Sequence, residues 1–290
     1  MAINIDFYQV QEQTGTTLQS VFEAIAKTDP LQRTRKAGNE YASIVELIKD
    51  GDVWLGTIVK IRMNQIPRKA SLSGVVEDFD LKDDEGVGEE VSFLYDPAPK
   101  IRALVLQYNH YGVRAGSFRE YVSHFMENAI FDLYPILTTD ALVRMSKKKI
   151  IKKIEVQFAA PKNSNIFADA DTNTKSLIDI LHSMAGGKIY MEVSADKGKD
   201  ESLSFKPIQR IIQTMLGHRE EVQILKLHGK ETENESTKPI DLLHDRMVET
   251  IAFRQTRQNP LTREQMYSFL KEAYNRRRGE INQQFLIDGD

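Results

Sequence analysis

Residues 74–113 read GVVEDFDLKDDEGVGEEVSFLYDPAPKIRALVLQYNHYGV. Residues 91–95 and 101–108 are two β-rich runs, joined by the five residues Asp96-Pro97-Ala98-Pro99-Lys100. Two such runs around a short Pro- and Asp-containing link predict a hairpin. Both runs are apolar on both sides, which places them centrally in a sheet covered on both faces. Residues 75–81 read as a further strand, and the acidic run Lys82-Asp83-Asp84-Glu85-Gly86-Val87-Gly88-Glu89-Glu90 must turn between it and the hairpin.

The flanks extend the same reading. Ile3, Ile5 and Phe7 alternate with Asn4 and Asp6, a short first strand. Thr16 or Thr17 caps a helix whose apolar face is Leu18, Val21, Phe22 and Ile25. Residues 41–49 and 53–63 form a second hairpin, residues 68–73 a polar link, and residues 116–128 a helix. Further on, strands are expected at 130–138, around Ile154, Val156 and Phe158, at 188–195, around Val222, Ile224 and Leu227, and at 247–253. Helices are expected after Thr139 or Asp140, at 174–185 behind the polar loop 161–173, and at 205–216. The longest helix runs from Thr262 to about Phe285, with Met266, Phe269, Leu270, Ala273, Ile281 and Phe285 on its apolar face. The fold class is α+β: an antiparallel sheet with helices in the N-terminal half, a second α/β sandwich unit, and a long C-terminal helix. The expected domains are 1–130, 131–256 and 257–290.

The chain has 290 residues, is 41% apolar, and contains no cysteine. A substantial core can form, while thiol nucleophiles, disulfides and cysteine metal sites are excluded. No signal peptide or membrane-spanning run is visible, so a cytoplasmic location is expected. The net charge of -3 hides an asymmetry. Residues 1–130 hold 14 Lys and Arg against 19 Asp and Glu, and residues 131–290 hold 25 against 23.

Motifs for catalysis are scarce. The run Asp83-Asp84-Glu85 with Glu89 and Glu90 has the residue types of a divalent-cation site, but the strand after it has no lysine for a nuclease centre. It reads better as a solvated turn. The six histidines have no metal-helix spacing. Gly86-Val87-Gly88 lacks the third glycine of a dinucleotide fingerprint, and neither a phosphate-binding loop nor a nucleophile elbow occurs. No enzyme activity, cofactor or metal is expected.

Two basic clusters stand out. Arg144, Lys147, Lys148, Lys149, Lys152 and Lys153 have no acid between Ala141 and Ile154. Arg276, Arg277 and Arg278 crowd the C-terminal helix, with Arg254, Arg257, Arg263 and Lys271 before them. Clustered cations suit phosphate contacts, and without interleaved aromatics the readout would be of backbone, not sequence. The expected contact is Lys147, Lys148, Lys149, Lys152 and Lys153, with Arg144 and Lys148 on one helix face and the three arginines assisting. The bland alternative is a pair of solvated faces.

The order of elements resembles the RexA-like family of phage-exclusion and antiphage-defence proteins, to which RexA of phage lambda and KwaB of the Kiwa system belong. The matching pieces are the D-D-E-x-x-G turn at Asp83-Asp84-Glu85 and Gly88, the run Ser92-Phe93-Leu94-Tyr95, the helix at 118–128, and the C-terminal helix with Tyr274, Arg276 and Phe285. The resemblance implies a cytoplasmic homodimer that binds DNA without sequence preference and works with a membrane-protein partner. The apolar residues spread along the C-terminal helix add a motive for dimerisation. Two alternatives stand beside it: a protein-interaction module, such as a phage-borne inhibitor or an adaptor, and a metal-dependent nuclease using the acidic turn.

Overall fold

The computed structural model describes residues 2–12, 15–37, 40–64, 66–98, 102–127, 129–159, 188–196, 201–217, 222–256 and 258–287. The expected loop 161–173 and helix 174–185 lie outside the described residues. The chain divides into two compact units, one of residues 1–133 and 248–282, the other of residues 134–247 and 283–290. The C-terminal helix thus belongs largely with the N-terminal half.

The hairpin at the heart of the first unit consists of β7 (Val87–Asp96) and β8 (Ala103–Tyr108), antiparallel with Phe93 opposite Leu106 and Tyr95 opposite Leu104. Asp96 starts its turn by accepting the Ala98 N–H at 2.9 Å, and Arg102 closes it in the left-handed region at φ 30°. Around this pair lie β1 (Ala2–Glu12), β2 (Arg35–Ala37), β3 (Glu40–Asp50), β4 (Val53–Arg62) and β14 (Val248–Ala252). The strand order is β14-β1-β8-β7-β4-β3-β2, with β9 (Phe131–Pro135) paired to β1 off this path, so the hairpin is central. A two-residue loop joins β3 to β4, and Gly51 supplies the φ of +60° that so tight a turn needs.

Alternation along the strands divides this sheet into two buried faces. On one face pack α1 (Leu18–Lys27) and α2 (Ala115–Ser123). Thr17 caps α1 by accepting the Ser20 N–H at 3.1 Å. Leu18, Val21, Phe22 and Ile25 then project a single stripe onto Trp54, Phe93 and Tyr95. Phe22 sits 5.4 Å from Phe93 and 5.5 Å from Tyr95, and Phe93 lies 5.0 Å from Phe118. Tyr121 ties α2 to the sheet: its hydroxyl accepts the Ile44 N–H and donates to the Arg33 carbonyl, both at 2.9 Å. This bond falls where the β3–β4 register slips between Ile44 and Glu46. The helix ends at Ser123 instead of running to residue 128.

The other face is covered by α5 (Arg263–Ile287), where Met266, Leu270, Ala273 and Ile281 are buried. Here the interface is partly polar. Tyr267 Oη lies 2.8 Å from Thr57 Oγ1, which is 3.0 Å from Ser92 Oγ. Tyr274 donates to Asp96 at 2.6 Å. Each buried hydroxyl therefore has a partner, and two tyrosines fix the helix's position along the sheet.

The second unit is an α/β two-layer sandwich. Its sheet runs β11-β10-β12-β13, all antiparallel, with β10 (Ile150–Ala159), β11 (Lys188–Ser194), β12 (Val222–Lys230) and β13 (Lys238–Asp241). On one face α3 (Thr139–Ser146) and α4 (Phe205–Gly217) join a core of Ala141, Met145, Ile154, Val156, Ile212 and Leu225. Thr138, one residue earlier than expected, caps α3 by accepting the Ala141 N–H at 3.3 Å. Among the described residues no helix is long and apolar enough to cross a membrane.

The expected strand at 75–81 is the main departure. Only β6 (Val76–Glu77) forms, paired with β5 (Lys69–Ala70) as a separate two-stranded ribbon. It leaves the sheet after β4 and returns at β7. Valines so exposed on an isolated ribbon have no second layer to bury them, and two strands alone cannot extend.

Candidate functional site

The first basic cluster does not form one free surface. Arg144 on α3 pairs with Asp140 at 2.9 Å and Asp245 at 2.6 Å. The helix ends at Ser146 with Lys147 as its cap, so Lys148 does not share its face with Arg144 as expected. Instead the Lys148 side chain is 7% exposed and reaches Glu231 at 3.6 Å. Lys152 donates to the Glu201 carbonyl. Lys153 does point to the solvent side of β10 with Glu155 and Gln157, but its ammonium lies 2.5 Å from Glu155 and 3.3 Å from Glu192. Lys147 and Lys149 are exposed, and among the described residues neither meets a carboxylate within 4 Å. Six cations therefore sit with the five carboxylates Asp140, Glu155, Glu192, Glu231 and Asp245.

The second cluster is more completely matched. Arg276 pairs with Glu249 and Glu272 at 3.4 and 3.0 Å, and Arg277 with Glu249 and Glu280 at 2.6 and 2.9 Å. Arg278 lies 3.5 Å from Asp96, a carboxylate only 1% exposed, and stands over the Tyr274 ring. Nearer the start of α5, Arg263 meets Glu46 and Glu90, and Lys271 meets Asp50. Hydrogen bonding to Glu90 pushes the Arg263 guanidinium above its ordinary range. These cations fasten α5 to the acidic edges of the sheet below it. The sequence window around each cluster hides this, since Glu46, Asp96, Glu192, Glu231 and Glu249 come from distant strands and loops.

Beside Lys153 the solvent face of β10, β11 and β12 carries a small titratable group. His228 Nε2 is 2.9 Å from Glu155 Oε1 without hydrogen-bond alignment. Tyr190 and Ser194 both donate to Glu192, at 3.3 and 3.0 Å. Desolvation holds the His228 imidazole below its ordinary 6.5, and the Lys153 hydrogen bond holds Glu155 below its ordinary 4.5. Among the described residues no three His, Cys, Asp or Glu side chains converge as a metal-ligand set.

The acidic turn belongs to an arm, residues 66–86, in which a strand is expected at 75–81 and of that run only Val76–Glu77 forms one. Residues 67–80 are exposed without exception. Leu72 is fully exposed, and Val75, Val76 and Phe79 are 55%, 51% and 43% exposed. The three cations of the arm are engaged within it: Arg68 with Asp78 at 2.7 Å, Lys69 with Glu77 at 3.0 Å, and Lys82 with Glu85 at 3.5 Å. Asp80, Asp83 and Asp84 meet no cation within 4 Å among the described residues. Where the arm folds back on its own root, Met63, Ile66, Phe79, Leu81 and Asp83 help to line a cleft of about 320 Å³. The signal in the sequence was an apolar pair, Val75-Val76, beside an acidic run too charged for a central strand.

No curated protein matches the chain. A family model described as a family of unknown function (DUF6731) matches residues 4–284. Since that match takes in β1, both units and most of α5, the chain belongs to this family.

Proposed function

We propose that this chain is a protein-interaction module and that the arm at residues 66–86 is its contact. The observation that carries the reading is the exposure of four large apolar side chains, Leu72, Val75, Val76 and Phe79, within eight residues of one arm; the unit also exposes Leu31, Tyr41 and Tyr111, but outside that arm. Contiguous apolar side chains rimmed by charge are a common mark of a protein-binding surface. The neighbouring Asp80, Asp83 and Asp84 supply uncompensated negative charge, so the partner is basic around an apolar centre. The test measures binding of leucine- and lysine-containing peptides by fluorescence anisotropy to the parent and to a Val75→Ser, Val76→Ser, Phe79→Ser variant. Losing this apolar contact should weaken binding about tenfold or more, with far-UV circular dichroism unchanged because none of the three is in a core. Equal binding by the variant would overturn the reading.

A second reading, nonspecific DNA binding, is supported by the exposed cations Lys147 and Lys149 and by the RexA-like resemblance, which would also supply a homodimer, a membrane partner and a role in phage exclusion. Near-neutral ion-paired clusters generate little long-range field. Two free cations would give a salt slope of log K near about -1.8, whereas all nine basic residues together would give about -8. Mobility shifts of single- and double-stranded DNA at two salt concentrations distinguish the two. A Lys147→Glu, Lys149→Glu variant that binds DNA as the parent does, with the same slope, sinks this reading.

A further inference from the structure

We infer that the cleft at the root of the arm receives one long cationic side chain, a lysine or arginine, from a basic peptide segment of a protein partner. This rests on the interaction reading above and adds to it the chemistry of the recognised residue. Met63 and Ile66 come from the chain entering the arm, and Phe79 and Leu81 from the chain leaving it. Their apolar walls match the methylene stem of lysine or arginine, which packs along apolar surface while its head stays polar.

The acids at the cleft are not equivalent. Asp78 is held by Arg68 at 2.7 Å. Glu85 accepts the Lys82 N–H at 3.0 Å and meets the Lys82 ammonium at 3.5 Å. Asp83 has neither kind of partner among the described residues, and it lines the same cleft. Lys82 also lines the cleft with its ammonium drawn to Glu85, which leaves Asp83 as the lining carboxylate without a cation among the described residues, and it selects one positive charge on an apolar stem. The volume, about 320 Å³, stands at the bottom of the range for small-molecule sites, which suits a side chain better than a cofactor. Asp80 and Asp84 extend the negative charge around the slot and favour a segment carrying further cations.

The probes are fluorescein-labelled decapeptides, leucine-rich and identical except for one central residue: lysine, arginine, citrulline or norleucine. Anisotropy is read with the full chain, with an Asp83→Asn variant, and with the triple serine variant of the arm. The lysine and arginine peptides should bind the parent about fivefold or more tighter than the norleucine and citrulline peptides, with an advantage that shrinks as salt is added. Asp83→Asn should remove that advantage and leave the binding of the norleucine peptide as it was. Asp83 is exposed, so the exchange does not threaten folding. If the four peptides bind the parent alike, or if Asp83→Asn keeps the preference, the cleft proposal fails while the arm reading survives. If the triple variant binds as the parent does, the arm reading fails with it. Absence of binding by every peptide at millimolar concentration overturns both, and binding that changes with the oligomeric state in sedimentation assigns the arm to a second copy of this chain instead.

Discussion

Gly56 shows how tightly the central layer is filled. It lies on β4 beneath the Phe93 ring, and a Cβ added there would stand 2.4 Å from Phe93 Cζ and 2.7 Å from its Cε1. The ring has little freedom to yield, because Phe22 and Phe118 hold it from two sides at 5.4 and 5.0 Å. Gly56→Ala should therefore cost about 1–3 kcal/mol, the range for overpacking a core. Urea denaturation should show a lower midpoint, and Phe93→Leu in the same chain should restore part of it. An unchanged midpoint for Gly56→Ala would show that the ring can move. The sequence marks Gly56 only as a weak spot inside a strand. Its partner, Phe93, is 37 residues away, and such proximity exists only once the register is known.

Among the elements, the periodic ones were legible and the charged ones were not. Helices α1 and α5 announce themselves because a buried helix stripe writes itself as a period of 3.6, and strands β7 and β8 because continuous apolar runs mark strands buried on both faces. Thr17 was equally readable as a cap, since capping chemistry is local. Charge obeys no such period. Lys147 to Lys153 read as one patch, yet their counter-ions Glu155, Glu192 and Glu231 arrive from β10, from β11 and from the loop after β12. The arm was misread for a related reason: a β-rich run predicts extended chain, not a neighbouring layer to pack against. On the solvent face of the second unit's sheet, the same long-range pairing has a pH consequence. His228 on β12 faces Glu155 and Lys153 on β10, Glu192 on β11, and Lys226 on its own strand. Its folded value is depressed, so the unfolded chain takes up the proton first, and stability falls as pH drops through about 6.5. Glu155, also depressed, adds a further loss as pH drops through about 4.5 and below. Melting temperatures measured at about pH 7.5 and 5.5 should fall more for the parent than for His228→Gln. Equal falls would mean that His228 does not titrate differently in the two states.

Taken whole, the molecule builds its first unit from two separated stretches, residues 1–133 and 248–282. Strand β14 pairs with β1, with Ala252 opposite Ala2, and α5 covers Ile3, Ile5 and Phe7 together with their sheet face. The apolar stripe of α5, which in the sequence suggested a dimer contact, is spent on this intramolecular burial: Met266, Leu270, Ala273 and Ile281 are each 2% exposed or less. A homodimer then rests on the RexA-like resemblance alone. Chains cut after residue 262 should lose cooperative unfolding and bind a hydrophobic dye, because an entire sheet face stays open. A truncated chain that melts as one sharp transition would contradict this. The two-part construction also imposes an order in time. Residues 134–247 leave the ribosome before the strand and helix that complete the first unit exist. From residue 134 to residue 282 is 149 residues, so at about 5–20 residues per second that face stays bare for roughly 7 to 30 s of each synthesis. The second unit can meanwhile fold on its own local contacts. Newly made chains are thus at their most vulnerable in the middle of translation, and chaperone contacts in the cell should concentrate on stalled chains that end between residues 134 and 262.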